Sequence, residues 1–178
     1  MSLLKRDRAA LVVVDVQEGF RPAVERFDEV VAQTVKLVRG ARELGVPVIV
    51  TEQYPKGLGA TVSEVADHLP DDSDPIEKTV FSAARAEGFE LAGRGQAIVV
   101  GIEAHVCVSQ TAHDLMADGI DVHIVADAVS SRAPEDRDRA LARLERSGAT
   151  VTTTEAALFE LLERAGSPEF KFIQSLVK

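Results

Sequence analysis

Three side chains in this sequence are of types that together can open a carbonyl compound: a cysteine, a lysine and an aspartate. Cys107, the sole cysteine, sits in GIEAHVCVSQTAHDL, residues 101–115. Free cysteine is among the most buried residue types, so core filler and nucleophile are both open uses for it. The nucleophilic form is the thiolate, which a helix N-terminus favours through its dipole and free N–H groups. Those N–H groups can also hold the oxyanion formed when sulfur attacks a carbonyl. Lys78, in IEKTVF, would favour thiolate further, and Asp15, closing ALVVVDV, can accept the thiol proton as general base. Taken singly, Lys78 reads as a solvated lysine and Asp15 as a cap on a neighbouring turn. Only their convergence would make a site.

Other titratable groups fit that chemistry less well. His105 lies two residues before Cys107 on the same predicted helix, so it points away from the thiol. His68, His113 and His123 have no ligand-like spacing and read as surface or packing residues. Neither a two-cysteine metal site nor a helical two-histidine motif occurs. The glycines of AGRGQ precede a strand, which excludes a dinucleotide-binding turn.

The elements that must position these residues follow from apolar patterning. ALVVVDV (10–16) and QAIVVGI (96–102) are near-continuous apolar runs, as in strands buried on both faces. VPVIVTEQ and IDVHIVADA predict two further strands, IEKTVF a short one, and ATVTTT a half-exposed edge strand. Between them, helical spacing runs over 28–44, 82–95, 103–119 and 133–148. TVSEVADHL is a short amphipathic segment. Thr152 and Glu155 have capping-box spacing before EAALFELLERAG, and EFKFIQSLVK predicts a final amphipathic helix after Gly166-Ser167-Pro168. Alternating strands and helices predict one α/β domain over 1–178, a three-layer α/β/α sandwich with a mostly parallel sheet of Rossmann-like topology. In such sheets sites form beyond the carboxyl ends of the strands, where Asp15, Lys78, Cys107 and also Asp127 fall.

Composition narrows the function classes. The 178 residues suffice for one core, and the net charge of −9 opposes nonspecific nucleic-acid binding. One cysteine cannot form an internal disulfide, and the N-terminal apolar run lacks the length and cleavage site of a signal peptide. No segment reads as spanning a membrane. A cytoplasmic protein with a small-molecule substrate, and no nucleic-acid or membrane partner, is expected.

ALVVVDVQEGF, VPVIVTEQYPKGLGAT, EKTVFSA, GIEAHVCVSQTAHDLMADGIDVHIVADAVSSR and ALARLERSGA, in that order, resemble the isochorismatase-like cysteine hydrolases. The likeness is strongest to the isochorismatase-domain-containing members, through TEQYPKGLG and FKFIQSLVK. It implies a six-stranded parallel sheet, a catalytic triad of Asp15, Lys78 and Cys107, and a thioester intermediate hydrolysed by water. It also implies a cis peptide at Ile102–Glu103 that aims the N–H of Glu103, with that of Cys107, at the oxyanion. Nicotinamidase-type relatives carry an Asp-x-His metal motif where this chain has Thr51-Glu52-Gln53, so no metal or cofactor is carried over. Isochorismatase proper, which cleaves a vinyl ether, typically lacks the cysteine. The expected activity is therefore metal-independent hydrolysis of a small amide, ureide or related carbonyl compound. A catalytically idle interaction protein and a redox-responsive thiol are the alternatives. The family forms dimers and larger assemblies, so a homo-oligomer is expected, with the terminal helix packing either within or between subunits.

Overall fold

Residues 9–14 are all buried, because strand β1 (Ala9–Val14) lies inside a sheet covered on both faces. The computed structural model describes residues 2–71 and 73–178. Its single sheet has six parallel strands in the order β3-β2-β1-β4-β5-β6, with β2 at Val48–Gln53, β3 at Ile76–Lys78, β4 at Gln96–Ile102, β5 at Asp121–Ser130 and β6 at Thr150–Thr152. β1 pairs with β2 from Leu11 opposite Val48 and with β4 from Ala9 opposite Gln96.

Side-chain alternation divides the core into two layers. Leu11, Val13, Ile98, Val100 and Ile102 face one cluster with α1 (Phe27–Glu43), α6 (Thr154–Leu162) and α7 (Phe170–Val177). Ala10, Val12, Val14, Ala97 and Val99 face the other, with α4 (Ser109–Ala117) and α5 (Pro134–Arg146). Burial on both faces explains why these strands are apolar throughout. Two short helices, α2 (Pro55–Leu58) and α3 (Ser63–Ala66), follow β2. The edges are closed by three-residue strands, β3 and β6, matching the edge position expected of ATVTTT.

The terminal helix packs within the chain. Ile173 and Leu176 join the α1–α6 cluster, and Arg39 stacks over the Phe172 ring at 5.5 Å.

Several expected elements differ. Residues 82–95 form no α-helix: a 3-10 turn at Ala83–Arg85 gives way to extended backbone at Ala86, and left-handed Gly88, Ala92 and Gly93 prevent helical continuation. The 103–119 helix opens as a π-helical turn, Ala104–Val108, so Cys107 precedes α4. The cap of α6 is Thr153, whose hydroxyl accepts from the N–H of Ala156, because Thr152 is still paired in β6. Asp127 does not join the other acids: it accepts from the N–H and hydroxyl of Thr154, at 2.8 and 3.0 Å, at the start of α6.

Candidate active site

Strand order reverses between β1 and β4, with β2 and β3 to one side and β5 and β6 to the other. A crevice beyond the carboxyl ends at such a switch point is where doubly wound sheets bind ligands. Asp15 immediately follows β1, Lys78 ends β3, and Glu103 and Cys107 follow β4.

Asp15 leaves the strand with φ 54, a left-handed conformation that aspartate tolerates better than most residues. Its carboxylate is fully buried, with one oxygen accepting from Lys78 Nζ at 2.7 Å and the other from Thr51 Oγ1 at 2.7 Å. The Lys78 ammonium is also buried; its remaining contacts are Gln53 Oε1 at 2.7 Å and the carbonyls of Val80 and Phe81. Gln53 is itself held: Gln17 accepts from its N–H and donates to its carbonyl. The Lys78 nitrogen is thus ringed by oxygen acceptors in place of solvent. Thr51, Gln53 and Gln17 were not among the sequence candidates, and the signal for them was polar residues interrupting the carboxyl end of β2 and following β1.

Gly101 lets β4 approach β1 at this point. With φ +112, a Cβ there would lie 1.9 Å from the Val14 carbonyl oxygen. The next peptide, Ile102–Glu103, is cis. The Glu103 carbonyl accepts from the N–H groups of Val106 and Val108, closing the turn that carries the cysteine. Its carboxylate is engaged by the backbone N–H and guanidinium of Arg132, at 3.1 and 3.0 Å. His105 pairs with Ser131 through Nδ1 at 2.9 Å.

Cys107 packs among Ala104, Val108 and Ala112 with 4% of its surface exposed, yet it also feels the charged pair. Burial pushes its thiol up to about 12; the Asp15 anion adds to the rise and the Lys78 cation opposes it. The resting sulfur is therefore a neutral thiol at pH 7, not the preformed thiolate that a helix N-terminus would favour. Thus Asp15 and Lys78 are in direct contact and close enough to Cys107 to act on its thiol, while Asp127 and the four histidines lie outside the ion pair.

A family model for the isochorismatase domain matches residues 9–156, which contain all three side chains. The chain belongs to the isochorismatase family. Isochorismatase domain-containing protein 1 of Danio rerio is 45% identical over 168 residues; these are 92% of this chain but 59% of that protein's length. Isochorismatase domain-containing protein 2A of Mus musculus is 41% identical, covering 97% of this chain and 84% of its own. Among solved isochorismatase-like folds, a structure titled MAR1 ribonuclease from Caenorhabditis elegans superposes with a TM-score of 0.93 at 40% identity, covering 99% of this chain and 92% of that one. YcaC from Pseudomonas aeruginosa, solved with hexane-2,5-diol and covalent acrylamide, gives 0.90 at 27% identity over 98% of this chain and 91% of its own. The family includes hydrolases. Among the described residues no helix is long and apolar enough to cross a membrane.

Proposed function

We propose that this isochorismatase-family chain is a metal-independent cysteine hydrolase acting on a small amide, ureide or related carbonyl compound. The observation that carries this reading is the buried 2.7 Å Asp15–Lys78 ion pair bearing on the Cys107 thiol. As sulfur attacks the carbonyl carbon, the thiol proton passes to Asp15 and a C–S bond forms. The carbonyl electron pair moves to oxygen, where the N–H groups of Glu103 and Cys107 hold it. Collapse breaks the C–N bond, and the departing amine takes the proton from Asp15. Water then gives a proton to Asp15 and attacks the thioester; sulfur leaves and is reprotonated. Lys78 keeps the carboxylate in place and stabilises charge throughout.

Support also comes from the Pseudomonas relative that carries covalent acrylamide, itself an unsaturated amide electrophile. The nematode relative titled a ribonuclease suggests RNA as a rival substrate. A net charge of −9 opposes the phosphate attraction on which polyanion binding depends. The test is turnover of a primary-amide and ureide panel, with RNA alongside, by wild type and Cys107→Ala. Amide turnover that vanishes in a folded Cys107→Ala protein, with a trapped thioester mass on wild type, is expected. Undiminished turnover in that variant, or RNA cleavage without amide turnover, rejects the proposal.

A further inference from the structure

Two anions bear on the Cys107 thiol, Asp15 and Glu103. Each is paired with a cation: Asp15 with Lys78 at 2.7 Å and Glu103 with Arg132 at 3.0 Å. The second pair has a buried and an exposed end, since the Glu103 side chain is 9% exposed and that of Arg132 63%. Among the described residues Arg132 supplies every hydrogen bond to that carboxylate, from its own backbone N–H at 3.1 Å and from Nε at 3.0 Å.

Glu103 is also the residue on which the cysteine turn is built. Its carbonyl accepts from the N–H groups of Val106 and Val108, on either side of Cys107, at 3.1 and 3.2 Å. Arg132 reaches it from the loop between β5 and α5, and that loop holds the same turn a second time, through Ser131 Oγ and His105 Nδ1 at 2.9 Å. The loop is fixed from behind by Glu25, whose N–H donates to the Ser131 carbonyl at 3.2 Å and whose carbonyl accepts from Ser130 Oγ at 2.6 Å. Asp136 on α5 adds a further charge, 3.8 Å from His105 Nε2. Attack by sulfur develops negative charge first on the thiolate and then on the carbonyl oxygen. A bare, buried carboxylate four residues before the sulfur would oppose both. An arginine, always charged and held to that carboxylate at two points, cancels it.

We propose that Arg132 is a positioning residue for Cys107: paired with Glu103, it cancels an anion that would oppose charge on the sulfur and on the carbonyl oxygen. Its effect on the thiol follows from the pair alone, whereas its effect on turnover rests on the cysteine-hydrolase reading. The test is the rate of Cys107 alkylation by iodoacetamide at pH 8, read by intact mass on the full chain. Arg132→Ala should slow alkylation about tenfold, as one unit of thiol pKa would. Arg132→Lys, which keeps the charge but not the fork, should stay within about threefold of wild type. A double variant, Glu103→Gln with Arg132→Ala, has no anion left to cancel and should recover the rate that the single variant loses. A purely structural clamp would leave it slow. Should Arg132→Ala not fold, Arg132→Gln, which keeps a donor without the charge, carries the same expectation. On an amide substrate Arg132→Ala should lower kcat and leave KM within about twofold. A wild-type alkylation rate in folded Arg132→Ala, or a double variant as slow as the single one, overturns the inference. So does a raised KM with kcat retained, which would make Arg132 a contact to substrate. Slowed alkylation that the double variant reverses, in a chain that turns over no amide, upholds the role of Arg132 and rejects the hydrolase reading instead. A wild-type thiol that reacts only after unfolding overturns both.

Discussion

Each oxygen of Asp15 carries a separate duty, one toward Lys78 and one toward Thr51. Removing the charge therefore has two opposed effects. Asp15→Asn leaves a buried ammonium without its anion and should cost about 3–5 kcal/mol, read by urea unfolding. It also deletes the anion that raises the Cys107 pKa, so iodoacetamide should alkylate the thiol faster at pH 8 while amide turnover collapses. Slower alkylation together with full turnover would remove Asp15 from its assigned role. Asp15, Lys78 and Cys107 were legible in the sequence because each is a polar interruption at the end of an apolar strand or just beyond one. Thr51, Gln53 and Gln17 were harder to see, since hydroxyl and amide residues are common at strand ends and reveal their partners only once β1, β2 and β3 lie side by side.

At the level of elements, β4 and β5 carry the constraints. Gly101→Ala places a Cβ against the Val14 carbonyl in a left-handed conformation and should destabilise the chain by more than about 3 kcal/mol in urea unfolding. On β5, His123 is buried, and among the described residues neither ring nitrogen has a hydrogen-bond partner. Burial lowers its pKa from 6.5, while nearby Asp121 and Glu160 oppose the shift. A lowered histidine pKa means that the unfolded chain binds the proton first. The contribution of the neutral ring is present above pH 6.5 and is lost as pH falls through the folded-state value. Tm measured from pH 7.5 down to 5 should therefore fall less in His123→Leu than in wild type. Strands were readable from runs of valine and isoleucine, whereas the 82–95 segment was misleading. Its alanines and acids have helical propensity, but Gly88 and Gly93 adopt left-handed turns, and Arg85 is drawn to Asp114 on α4. Likewise Thr153 displaced Thr152 as a cap because strand pairing claimed the earlier residue.

For the whole molecule, α7 acts as a lid on the α1–α6 layer. Ile173 is fully buried and its Cδ1 approaches Gly40, so Ile173→Ala should cost about 2–5 kcal/mol by chemical denaturation. A loss well below that range, with a change of assembly size instead, would assign the helix to a contact between copies. The amphipathic pattern of this helix was plain in the sequence, but which surface it covered depended on tertiary packing.

The sheet order has a consequence for how the polypeptide is made. β1 emerges first during synthesis, yet it is flanked by β2 and β4. A ribosome must therefore release the chain through Ile102 before the oldest strand gains both neighbours. Until then Val12 and Val14 lack the cover of β4 and α4, and nascent chains stalled before that length should engage chaperones more than those stalled beyond it.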